Sequence, residues 1–108
     1  MSDVPAVTVD QLPTDAVVLD VREPDEWVAG HAVGATHIAL GDLPARLGEV
    51  PAGDPLYVIC RSGARSGQAV EWLRQQGMSG VNVTGGTQAW AAAGLPMTSE
   101  NGADPVVA

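Results

Sequence analysis

The stretch Leu56-Tyr57-Val58-Ile59-Cys60-Arg61-Ser62-Gly63-Ala64-Arg65-Ser66 decides the fold, because it runs from an apolar segment through a glycine-bearing turn into a helical pattern. A short, wholly apolar segment reads as a strand buried on both faces, the kind that fills parallel sheets. From Arg65 to Gln76 the residues Ala69, Val70, Trp72 and Leu73 form an apolar stripe, Glu71, Arg74 and Gln75 face water, and Gly77 ends the helix. Cys60 is the only cysteine of the chain and stands where the strand ends and the turn begins. Open α/β sheets bind their ligands at such carboxyl ends.

Outward from this unit, strands and helices alternate. Ala16 to Val21 is a second apolar, β-branched strand, and Val7-Thr8-Val9 is a shorter one. Glu23 to Gly30 reads as a brief helix, with Pro24 near its first position, Asp25 and Glu26 complementing the dipole, and Gly30 as its stop. Ala35 to Ile38 is a brief strand, and Asp42 is placed to cap a small helix through Leu47. Pro51 to Asp54 makes a turn into the strand Pro55 to Ile59, and Val81 to Val83 is the last strand. Gly85-Gly86 then leads into a helix from Thr87 to Ala93, closed by Gly94 and Pro96. The pattern implies an α/β domain with a mostly parallel sheet covered on both faces. Residues 1–6 and 98–108 are polar or rich in Gly, Pro and Asp and read as flexible tails around a domain at 7–97.

A chain of 108 residues has room for one such domain. Thirteen acidic residues against five basic ones, all arginine, give a net charge of -8, which argues against nucleic acid or an anionic membrane as the main partner. A single cysteine forms no intramolecular disulfide, and neither a leader pattern nor a spanning apolar run is present, so a cytoplasmic location is expected. His31 and His37 with Cys60 match no zinc spacing, and Gly85-Gly86 lacks a dinucleotide fingerprint, so neither metal nor cofactor is expected. Trp27, Trp72 and Trp90 lie on helix faces that favour burial in the core.

The loop after Cys60 suits anion chemistry. Gly63 permits a curl that turns successive N–H groups to one centre, and the helix that follows adds unpaired donors aimed at the same place. Such a nest depresses a thiol from its reference of about 8.5. Arg61 and Arg65 add planar cationic donors for an oxyanion, and Ser62 and Ser66 add hydroxyl hydrogens. Since no histidine has a motif-like spacing to Cys60, activation is expected to be electrostatic. Against this stand plain structural readings: a cysteine after a strand packs as a small apolar group, and Asp20 satisfies backbone donors after its own strand.

The Cys60 to Ser66 loop resembles the active-site loop of the single-domain rhodanese family, the thiosulfate sulfurtransferases. Asp20-Val21-Arg22-Glu23 with Trp27, Gly30-His31-Ala32-Val33-Gly34-Ala35 before Ile38, and Gly85-Gly86-Thr87-Gln88-Ala89-Trp90 before Gly94-Leu95-Pro96 match in the same order. The resemblance covers nearly all of residues 7–97 and implies a three-layer domain with about five short strands. It also implies that Cys60 takes a sulfane sulfur from a small-molecule donor such as thiosulfate and passes it to cyanide, a small thiol or a protein thiol. In it Arg61, Ser62, Gly63, Ala64, Arg65 and Ser66 hold the substrate, while Asp20 and Arg22 play supporting parts, with Arg22 nearer the pocket. Related phosphatases carry one residue more between cysteine and arginine than the four found here, which favours sulfur over phosphate. Mercaptopyruvate fits this loop less well than thiosulfate. A non-catalytic binding or redox-sensing module is the alternative, and the retained Cys60 and arginines speak for the enzyme.

Overall fold

The computed structural model describes residues 4–108, so the first half of the expected N-terminal tail lies outside the described residues. In chain order the elements are β1 (Ala6–Val7), β2 (Val17–Asp20), α1 (Pro24–Ala29), β3 (His31–Ala32), β4 (Thr36–His37), β5 (Leu56–Ile59), α2 (Ala64–Gln75), β6 (Gly80–Val83), α3 (Gly86–Ala92) and β7 (Met97–Thr98). Five strands form a wholly parallel sheet in the order β1-β6-β5-β2-β4. From β5 the chain crosses through α2 to β6 on one side, while β2 leads through α1 to β4 on the other. That divergence opens a crevice at the carboxyl ends of β5 and β2, where Ile59 pairs with Asp20 and Cys60 follows at once.

Strand alternation divides the core between the two faces of the sheet. Leu19, Val21, Leu56, Val58 and Cys60 face α2 and pack with Ala69, Val70 and Leu73, whereas Val18, Tyr57, Ile59 and Val83 face α3 and pack with Trp90. Cys60 thus continues the inward side of β5 by one step, with 1% of its surface exposed.

The structure departs from the sequence reading at short, weakly specified segments. The first strand is Ala6–Val7, because Thr8 gives its N–H to the Gln11 side chain at 2.9 Å and the chain turns into a 3-10 turn at Val9–Gln11. The helix expected from Asp42 to Leu47 is two 3-10 turns, Leu40–Asp42 and Leu47–Glu49. Gly41, Pro44 and Gly48 explain why, since a segment this short cannot meet the cost of nucleating a helix with those residues in it. Within the expected C-terminal tail, β7 pairs antiparallel with β3, and Glu100 and Val106 donate their N–H groups to the Val28 and Ala29 carbonyls at 3.0 Å each. Those carbonyls end α1 and lack partners within the helix, so the last segment supplies them.

Behind the crevice lies a buried ion pair. Asp20 and Arg22 are both fully buried, with Arg22 Nε 3.1 Å from each carboxylate oxygen and Nη2 2.9 Å from Oδ2. Arg22 Nη2 also donates to the Gly30 carbonyl at 2.7 Å, and the Arg22 carbonyl faces His37 Nε2 at 2.7 Å. Nη1 alone among the described buried side-chain nitrogens and oxygens has no protein partner. Breaking such a pair strands a buried charge, so Asp20→Ala is expected to cost about 3 to 5 kcal/mol in urea unfolding. Asp20→Leu combined with Arg22→Met is expected to cost less, because no charge is left behind.

Candidate active site

Cys60 directly follows β5, and its side chain meets donors supplied by Ser62, Gly63 and Ser66. The Gly63 N–H donates to Sγ at 3.0 Å and the Ser66 hydroxyl lies 3.2 Å from it. Gly63 has φ of 118°, a conformation that side chains resist, and it is the residue that turns the loop back over the sulfur. Burial pushes the Cys60 thiol up, but the Ser66 hydroxyl and the N–H groups of Ser66, Gly63 and Ser62 more than offset it and leave the thiol below its ordinary value.

The loop carbonyls point away from the sulfur because α3 holds them. The Cys60 carbonyl accepts from the Thr87 N–H at 2.8 Å and the Thr87 hydroxyl at 3.1 Å, and the Arg61 carbonyl accepts from the Gln88 N–H at 3.1 Å. Gly86 makes this contact possible: a Cβ there would lie 2.3 Å from the Cys60 oxygen. The sequence shows Gly85-Gly86 as a tight turn, but the reason for the second glycine is this approach of α3 to the loop.

Each of the three arginines near the loop has protein partners. Arg65 reaches Glu26 of α1 through Nη1 at 2.6 Å and Nη2 at 2.9 Å, so its fork is closed on a carboxylate. Glu26 Oε1 also accepts the Glu23 N–H at 2.9 Å, tying α1's own start to the same pair. Arg61 is exposed, donates through Nε to the Ala108 backbone oxygen at 3.0 Å, and lies 3.0 and 3.2 Å from the Gln88 side-chain amide, whose oxygen satisfies both groups when turned toward the guanidinium. Arg22 lies in the buried pair with Asp20 rather than in the pocket. Ser62 and Ala64 are exposed, the first lending its N–H to the sulfur and the second opening α2.

Three contributors were not singled out from sequence: Glu26, Thr87 and Asn82. Asn82 of β6 accepts from the Ser66 hydroxyl at 2.6 Å and donates to the Gly63 carbonyl at 3.1 Å. A polar residue between Val81 and Val83 in a strand expected to be buried was the available signal. Trp27 stacks on His31 and His37 with ring centroids 3.3 and 4.9 Å apart, which accounts for all three rings without a ligand. A depression of about 560 Å³ near Val50, Asp54, Leu56 and Met78 sits at the opposite, amino ends of β5 and β6, so Cys60 and not that hollow marks the site.

The chain belongs to the Rhodanese-like domain family, whose model matches residues 6–93. It is 39% identical over 89 residues to a sulfurtransferase of Allochromatium vinosum, covering 82% of this chain and 83% of that one. A rhodanese-related protein of Thermoplasma volcanium superposes with a TM-score of 0.80 at 33% identity, covering 87% of this chain and 97% of the other. A rhodanese-like domain protein of Staphylococcus aureus does so at 0.75 and 30% identity, covering 88% and 99%.

Arg65 holds the Glu26 carboxyl down to about 2 from 4.5, against the opposing effect of burial. A depressed carboxyl stabilises the fold above its unfolded value and loses that contribution as pH falls from about 4.5 toward 2. Acid unfolding of Glu26→Gln is expected to be flatter in that window, with a loss of about 1 kcal/mol at neutral pH. Ser66→Ala is expected to move the pH midpoint of Cys60 alkylation by iodoacetamide up by about one to two units, the value of a hydrogen bond to a charged sulfur.

Proposed function

We propose that this chain is a sulfurtransferase that moves a sulfane sulfur from thiosulfate or a related small donor through a persulfide on Cys60. The observation that carries this reading is the set of N–H and hydroxyl donors converging on a Cys60 sulfur whose thiol lies below its ordinary value. The Cys60 thiolate attacks the outer sulfur of thiosulfate, a new S–S bond forms, and the old S–S bond breaks with its electron pair leaving on sulfite. The persulfide so formed keeps one negative charge. Cyanide or an acceptor thiolate then attacks the outer sulfur, and the S–S electron pair returns to Cys60 as thiolate.

Neither step requires a general base, because every sulfur reacts as an anion. The loop therefore works as a fixed dipole cage, which needs no reorganisation during reaction. With Cys60 only 1% exposed, a donor has to present a slender terminal sulfur, and thiosulfate or a persulfide meets that demand. The small spacing from Cys60 to Arg65 favours the same class over a tetrahedral phosphate. The name of the Allochromatium vinosum relative agrees with this reading. A cytoplasmic setting and a small or protein-borne thiol as acceptor belong to the proposal.

Mixed with thiosulfate, the protein is expected to gain the mass of one sulfur atom and to lose it again on adding cyanide, with thiocyanate released. Cys60→Ser is expected to do neither. Absence of the adduct with thiosulfate, mercaptopyruvate and polysulfide alike, read by intact-mass spectrometry, would refute the sulfurtransferase reading.

A further inference from the structure

Asn82 sits inside β6, in register with Ala6 of β1 and Val58 of β5, and its own N–H goes to the Pro5 carbonyl at 2.8 Å. Its side chain reaches the loop over the sulfur. Nδ2 donates to the Gly63 carbonyl at 3.1 Å, and because a carbonyl only accepts, the amide is fixed with Oδ1 toward Ser66. Ser66 is fully buried and has one hydroxyl hydrogen, with two acceptors in reach: Asn82 Oδ1 at 2.6 Å and Cys60 Sγ at 3.2 Å. One hydrogen cannot serve both fully.

The charge on sulfur decides the contest. A neutral sulfur is a weak acceptor and an amide oxygen a strong one, so the hydrogen rests on Asn82 when Sγ is a thiol or the inner atom of a persulfide. A thiolate is a stronger acceptor and draws the hydrogen to itself. Asn82 Oδ1 and Ser66 Oγ then face each other with nothing between them. The thiolate is thereby made costlier than the Ser66 contact alone would leave it.

We propose that Asn82 is a positioning residue which, by competing for the Ser66 hydroxyl hydrogen, raises the energy of the free Cys60 thiolate relative to states with a neutral Sγ and so favours sulfur loading. The loading half rests on the sulfurtransferase reading, whereas the competition for the hydrogen stands on the geometry of this chain alone. Charged groups about Cys60 are Arg61, Arg65 with its partner Glu26, and the closed Asp20–Arg22 pair at the neighbouring strand end, and the substitutions below alter none of them.

The test is a double-mutant cycle of Asn82→Leu and Ser66→Ala, read as the pH midpoint of Cys60 alkylation by iodoacetamide, which needs no sulfur donor. With Ser66 present, Asn82→Leu is expected to shift the midpoint downward by about one pH unit relative to the shift it causes in the Ser66→Ala background. Equal shifts in both backgrounds, in either direction or absent, would mean that Asn82 only pins Gly63, and would overturn the proposal. Should Asn82→Leu fail to fold, Asn82→Ala completes the same cycle. In a protein that loads from thiosulfate, the equilibrium ratio of persulfide to thiolate at fixed sulfite is expected to fall about tenfold in Asn82→Leu. An unchanged ratio would overturn the loading half while leaving the sulfurtransferase reading intact, and absence of any adduct in the unsubstituted protein would overturn that reading and the loading half with it.

Discussion

The bond from the Thr87 N–H to the Cys60 carbonyl, 2.8 Å long and doubled by the Thr87 hydroxyl, is the contact on which the site depends. Peptide units are planar, so a carbonyl held outward by α3 sends the next N–H in the opposite direction. The Arg61 carbonyl is held in the same way by Gln88. The loop therefore closes with its donors toward sulfur, and α2 begins with unpaired N–H groups on the same side. A strand end and two helix starts meet at one residue, α3 on the Cys60 carbonyl and α2 on its sulfur, and a parallel sheet diverging between β5 and β2 is what brings them together.

The groups that touch the sulfur are dipoles rather than full charges. The chain carries -8 overall, and two of its five arginines are closed on carboxylates next to the crevice, Arg65 on Glu26 and Arg22 on Asp20. Arg61 also has partners, in Ala108 and Gln88. In direct contact with the sulfur are the N–H cage and one hydroxyl, and Arg65 adds a longer-range attraction to it. Such donors are rigid and short in range, so they favour a small anion seated in the loop and give little pull on a large one at the surface.

The ion pairs have a mechanical part instead. Glu26 links α1 to the start of α2, and Arg22 links the end of β2 to Gly30 just beyond α1. The final segment closes the other end of α1 through Glu100 and Val106. α1 has six residues, too few to stand as an isolated helix, and these ties compensate.

By itself the sequence determined the α/β order, the five-strand estimate and the position of Cys60, because apolar runs, helical stripes and glycine stops are local signals that burial in a parallel sheet imposes on the chain. It also determined the family, since the loop and its companion motifs are contiguous. Short segments escaped it: β3, β7 and the 3-10 turns near Gly41 and Gly48 have too few residues to show a period. Only the tertiary structure decided which distant side chains hold the loop residues. Glu26 lies 39 positions from Arg65 and Asn82 lies 16 from Ser66, and local residue patterns do not show which distant side chains will share a hydrogen. The long-range contacts through the sheet made that choice, closing Arg65 on Glu26 and Arg22 on Asp20 and setting Asn82 beside Ser66.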